Sequence, residues 1–187
     1  AEGIAALRGV GRLGAQIDYD AAGIVKDATF TIDLSGTALR LNNDLFAIET
    51  EPFEVVWTPR EARFSFADVD AAIGQSRGQV SGDLVLGFDQ LFGPTVGLSI
   101  RASDVWLHPD DLDAPQEPFE LFSFEGWTAP LYGAIGIDRM VGARENVSVV
   151  MQGRVDTVRE GIGLDVTISG RGASSDDLKR LWPYLFS

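Results

Sequence analysis

No cysteine occurs in this 187-residue chain, which excludes disulfides, thiolate metal sites and cysteine nucleophiles but leaves the redox compartment open. Histidine is almost as scarce. A Ser/His/Asp triad could form only around His108, the single histidine, and no serine sits in a G-x-S-x-G elbow. Cations are few as well: 15 Lys and Arg stand against 28 Asp and Glu, for a net charge of −13. With no basic cluster, the chain is poorly suited to tracking a phosphate backbone, and nucleic acid is not expected as a partner. No stretch approaches the roughly 18 consecutive apolar residues of a membrane span. The opening "AEGIAALRGV" also has neither the basic region nor the apolar run of a signal peptide, so an exported or anchored protein would have lost that part.

What the chain does have is period-two alternation, the mark of strands with one buried face. At 45% hydrophobic residues it is long enough to bury a core in one domain or one elongated sheet. In "ATFTIDL", Ala28, Phe30, Ile32 and Leu34 share a side, and Thr29, Thr31 and Asp33 share the other. The pattern returns at Phe64 and Phe66, at Leu84, Leu86 and Phe88, and at Leu98, Ile100 and Ala102. It appears again at Val147, Val149 and Met151, and at Leu164, Val166 and Ile168. Turn signals such as "DYDAAG" (18–23), "TPRE" (58–61), "GQSRG" (74–78) and "FGP" (92–94) separate these runs. Many short strands joined by turns predict an antiparallel meander. The segment "HPDDLDAPQEP" (108–118), with three prolines and four acids, reads as a solvated acidic loop. A weaker recurrence places Gly36, Gly82, Gly153 and Gly170 after similar strands, where a bend or bulge is expected.

The chain's end departs from this pattern. In "SSDDLKRLWPYLFS", Ser174 or Ser175 caps a first turn, and Asp176 and Asp177 suit its positive dipole end. Leu178, Leu181 and Trp182 then fall at i, i+3 and i+4 before Pro183 stops the helix. A helix over 175–182 is too short to stand alone and needs a sheet to pack on.

Motifs for chemistry are weak. "GVGRLG" (9–14) matches G-x-G-x-x-G but is followed by a strand pattern rather than a helix, so no dinucleotide or other cofactor is expected. His108 with Asp110, Asp111 and Asp113 would be the centre of any metal-dependent or carbohydrate-active enzyme. One nitrogen ligand and no calcium-loop glycine make that the weakest of the readings, and no metal site is expected. The 28 acids offer many carboxylate pairs, and nothing singles one out. The "NVS" sequon at 146–148 falls in an expected strand and reads as accidental.

One-sided strands leading through "VTISGRG" into "SSDDLKRLWPYLF" resemble the YhdP-like branch of the AsmA-like proteins, whose domain of unknown function ends in Leu-x-x-Leu-Trp-Pro. The matching residues are Leu178, Leu181, Trp182 and Pro183, preceded by the strand–glycine recurrence at Gly153 and Gly170. The match is close over the last dozen residues and loose over most of the chain. The resemblance implies that 1–187 is one segment excised from a larger envelope protein, anchored in the inner membrane of Gram-negative bacteria by an N-terminal helix absent from this sequence. It implies a periplasmic, mainly β architecture, an elongated, curved antiparallel sheet (β-groove) with a short C-terminal helix. The concave apolar face would carry phospholipid toward the outer membrane, with neighbouring β-groove segments of the same full-length chain as partners.

On this reading the protein is not an enzyme. Lipid acyl chains would lie along Phe30, Ile32, Leu39, Leu41, Phe64, Phe66, Leu84, Leu86, Leu98, Ile100, Val149, Met151, Leu164, Val166 and Ile168. Leu178, Leu181 and Trp182 would cover an open sheet edge or the groove mouth. The competing expectation is a closed β-sandwich serving as an envelope interaction module, with the acidic loop contacting a basic partner.

Overall fold

A computed structural model describes residues 5–41, 44–109, 112–156 and 163–181. Thirteen strands form one antiparallel sheet that does not close. In chain order they are β1 (Ala5–Gly9), β2 (Arg12–Tyr19), β3 (Val25–Asp33), β4 (Thr37–Leu41), β5 (Asp44–Thr50), β6 (Phe53–Thr58) and β7 (Arg63–Ile73). There follow β8 (Ser76–Asp89), β9 (Gly93–Trp106), β10 (Leu121–Ala129), β11 (Ala134–Arg144), β12 (Val147–Asp156), β13 (Gly163–Arg171) and one helix, α1 (Ser175–Leu181).

The first six strands behave as three long ones, each interrupted once. β2–β3–β6 and β1–β4–β5 lie end to end, both reaching β7, and the register of β3 with β6 runs on into β4 with β5. β6 pairs with the start of β7 and β5 with its end, again in one continuous register. The interruptions at 10–11, 34–36 and 51–52 meet the bulge of β7 between Phe66 and Val69, so a seam crosses this part of the sheet. From β7 onward each strand pairs with the next. The 107–120 segment leaves no gap, because β9 and β10 pair directly across it.

Directly opposed residues of an antiparallel pair point to the same side, so the registers determine which side chains share a face. One transverse row runs Ile17, Ala28, Trp57, Phe64, Leu84, Leu98, Gly126, Ile137, Gly153 and Val166, from β2 to β13. A second runs Phe66, Gly82, Ile100, Phe124, Met140, Met151 and Ile168. The other side is polar: Ser65, Asp83, Ser99, Glu125 and Arg139 form one row, with Ser65 Oγ donating to Asp83 at 2.6 Å and Ser99 Oγ to Glu125 at 3.0 Å.

The sheet curls toward its apolar side. The rings of Phe30 and Phe64 meet at 6.3 Å although β6 lies between their strands, a separation of about 9.6 Å in a flat sheet. Over Gly82 the side chains of β7 and β9 close together, so a Cβ there would fall 2.6 Å from Ile100 Cδ1 and 3.1 Å from the Phe66 ring. Bulges reinforce the bend, and Asp68 (φ 54°) and Asp104 (φ 51°) sit beside two of them in the left-handed region.

Among the described residues, only one part of the apolar face is covered. Val105, Phe119, Ile137, Met140, Val149, Met151 and Leu181 form a closed cluster where α1 and the 107–120 segment fold over one end of β9–β12. Among the described residues no second sheet covers this one, so the closed sandwich is not what forms. The loop is also less solvated than its composition suggests. His108, Pro109, Leu112 and Phe119 are buried, since this irregular segment supplies the apolar cover that a second sheet would otherwise provide. Gly36 lies in the β3–β4 turn rather than in a strand, whereas Gly153 does sit opposite the β11 bulge. Asn146 of the sequon lies exposed in the β11–β12 turn, one residue before the strand that was expected to hold it.

Candidate functional site

The candidate site is the uncovered part of the apolar face. Phe30, Ile32, Phe64, Phe66, Leu84, Leu98 and Ile100 are half-buried, shielded by one another and by curvature, whereas Val166, also half-buried, packs against the covered cluster. Leu86, Leu164 and Ile168 are 47%, 44% and 42% exposed. Solvent therefore reaches a row of large apolar side chains that a packed core would have hidden. Two expected lining residues belong elsewhere: Val149 and Met151, each 1% exposed, lie beneath α1 and form core. The backbone of Leu39 and Leu41 lies in β4, but their side chains fall outside the described part, as does Trp182.

Several face residues escaped the sequence reading. Phe53, Val55 and Trp57 of β6 alternate visibly in "FEVVWT", and Trp57 stacks on Phe64 at 4.3 Å. Phe122 and Phe124 alternate in "LFSFEGWTA". Ile135, Ile137 and Met140 were harder to find, because the bulge between Ile137 and Met140 inserts a residue and breaks the period.

The end of the covered region is built from α1. Ser174 is the N-cap. Its hydroxyl accepts from the Asp177 N–H at 3.2 Å, while Asp177 Oδ2 accepts from the Ser174 N–H at 2.8 Å and its hydroxyl at 2.9 Å, a reciprocal capping box. Asp177 Oδ1 accepts from Arg144 Nη2 of β11 at 2.8 Å and from Arg180 Nη1 at 3.1 Å. Arg180 Nη2 in turn donates to the Pro115 carbonyl at 2.6 Å, and Glu117 pairs with both arginines. Burial pushes the Asp177 carboxyl up, but the Ser174 hydrogen bonds and then the two guanidiniums outweigh it and hold the acid below its ordinary value of 3.8.

This network turns the helix relative to the sequence reading. Asp177, Arg180 and Leu181 face inward, while Leu178 is 39% exposed. The ionic residues take the inner positions because Arg144 and Glu117 wait there to pair with them. Leu181 reaches the face over Gly142, where a Cβ would lie 2.6 Å from its Cδ2. The helix covers part of the face, and it leaves the β13 edge open, with Leu164 and Ile168 exposed.

The other candidate chemistry is described only in part. Asp113 is exposed, Asp110 and Asp111 lie outside the described residues, and His108 is buried with Nδ1 unpartnered. Among the described residues no group of three or more potential metal ligands exists. "GVGRLG" joins the end of β1 to β2, with strand rather than helix after it. A recess of about 720 Å³ lies away from the apolar face, lined by polar groups including Glu49, Asp70, Gln79 and Asp104, with Arg77 stacked 4.8 Å over Trp106.

No family model, curated protein or solved structure matches the chain. Among the described residues no helix is long and apolar enough to cross a membrane.

Proposed function

We propose that this chain is a lipid-binding β-groove segment of a periplasmic, inner-membrane-anchored AsmA-like protein, and that it contributes to phospholipid transport toward the outer membrane. The observation that carries the reading is the apolar row from β2 to β13, covered only near Ile137 by the cluster under α1, with no second sheet over it among the described residues. Ten strand positions at about 4.8 Å each give a strip on the order of 50 Å long. Such a strip holds lipid within one segment, and neighbouring segments of the full-length chain would lengthen it.

Holding acyl chains needs no catalytic group. Burial contributes about 0.8 kcal/mol per CH₂, so ten methylenes removed from water on this face contribute roughly 8 kcal/mol without a headgroup pocket. Transport along such a strip is movement down a uniform apolar surface, which fits a face built of Phe, Leu, Ile and Val.

A phospholipid carrying a photoreactive group in its acyl chain tests the reading. Crosslinks resolved to single residues by fragmentation are expected at Phe64, Leu84 and Leu98, and none at Asp83 or Glu125 of the polar row. Labelling spread equally over both faces, or absent from the apolar one, would overturn it.

A further inference from the structure

Two adjacent hairpins end at the same side of the sheet with the same tripeptide pattern. The β8–β9 turn reads Leu91-Phe92-Gly93 and the β10–β11 turn reads Leu131-Tyr132-Gly133, and both glycines adopt positive φ (76° and 78°). The aromatic members fold back: Phe92 meets Tyr132 edge-on at 4.9 Å and Trp127 at 4.7 Å, with the Arg154 guanidinium 5.7 Å from the Phe92 ring. The leucines are left at the tips, 71% and 82% exposed, beside Phe88 at 75%.

The two hairpins themselves carry little charge, although the Arg154–Asp156 ion pair borders them. Residues 90–100 and 126–137 contain no Asp, Glu, Lys or Arg, in a chain that is 23% charged with a net charge of −13. Asp89, at the edge of the first turn, has its carboxylate occupied by the Leu91 and Phe92 N–H groups at 2.7 and 3.0 Å. Leu86 (47% exposed) and Ile135 (40%) carry the apolar inner face outward to Phe88 and the tips.

We infer that this corner docks on a lipid bilayer, inserting Leu91, Leu131 and Phe88 into the interfacial region and placing the flank of the apolar face, at the ends of β8–β11, at the membrane surface. The inference rests on the lipid-binding reading and names where lipid would enter. Three features favour a bilayer over a protein partner. The tips project instead of forming a flat patch. Polarity is layered, with aliphatic tips outermost, Phe, Tyr and Trp behind them and an arginine deeper, matching the gradient across a membrane interface. The tips carry no carboxylate of their own, and the nearest ones are already occupied, Asp89 by the Leu91 and Phe92 N–H groups and Asp156 by Arg154, which lowers the cost for a strongly anionic protein of approaching lipid.

The test uses the absence of cysteine: Leu131→Cys and, at the opposite strand ends, Asn146→Cys each give a single site for an environment-sensitive fluorophore. With phosphatidylcholine vesicles the label at 131 is expected to shift to the blue and brighten, while the label at 146 stays unchanged. Vesicle partitioning is expected to fall about tenfold or more in the Leu91→Ser/Leu131→Ser double variant, and to weaken when anionic lipid is added. An unmoved label at 131, equal shifts at both sites, or a vesicle-independent dimer abolished by the double variant would overturn the inference. Acyl-chain retention measured on the same protein separates the two claims. A shifted label with no retained lipid would leave the docking standing and remove the groove reading, whereas retained lipid with an unmoved label would do the reverse.

Discussion

Replacing Asp177 with Asn should detach α1 and leave the sheet intact. The carboxylate is 1% exposed and accepts four hydrogen bonds, from the Ser174 N–H and hydroxyl, from Arg144 and from Arg180, which is itself 2% exposed. Breaking a buried pair by neutralising one partner costs about 3–5 kcal/mol, and Glu117, itself 46% exposed, only partly replaces the lost counter-charge of Arg144 and Arg180. Losing part of the reciprocal cap adds about 1 kcal/mol. Against this, the helix gains roughly 1.5–3 kcal/mol by burying Leu181. The electrostatic loss exceeds the packing gain, so the cheaper response is for the short helix to leave and rehydrate Arg180. Hydrogen exchange should show amides 175–181 losing protection while β8 and β9 keep theirs, and Leu86-side strands should be unaffected. Helix protection equal to the parent's would refute the reasoning, since the ion network would then contribute nothing to holding α1.

Other outcomes follow from the same geometry. The Asp177 acid is held below 3.8, so its contribution is fully present above that value and lost as pH falls through the lowered one. Helix protection should accordingly collapse on acidification below about pH 4, with Asp177→Asn showing no such acid step. Leu86→Asp, at a 47% exposed position, should change stability by less than about 1 kcal/mol, whereas Met151→Asp, at 1% exposure, should unfold the covered end. Thermal melts of the two variants check the boundary between open and covered face. Gly82→Val places atoms where Ile100 Cδ1 and the Ser99 carbonyl already approach within 2.6 and 2.8 Å of a Cβ, and should cost about 1–3 kcal/mol in denaturant titration.

Most of the sheet was legible because period two survives wherever strands are regular: "ATFTIDL" and "TVGLSIRAS" place Phe30, Ile32, Leu98 and Ile100 on the face that the registers confirm. It failed where a strand is interrupted. In β11 the extra residue at the bulge moves Met140 out of phase with Ile135 and Ile137, and the pattern reads as noise. Which stretch of the face is covered was not legible either. The cover comes from Phe119 in a proline-rich acidic segment and from a helix whose inward side carries Asp177 and Arg180. Hydrophobic periodicity placed Leu181 inward but Leu178 with it, because it does not weigh a buried ion pair supplied by Arg144 from another element.

The central claim is that the uncovered apolar face holds acyl chains. Native mass spectrometry with lipid extraction, on protein expressed in a bacterial periplasm and purified without detergent, tests it most directly. The account predicts near-stoichiometric phospholipid on the parent chain and its loss from a folded Leu86→Asp/Ile100→Asp variant. A folded parent protein that emerges free of lipid would contradict it.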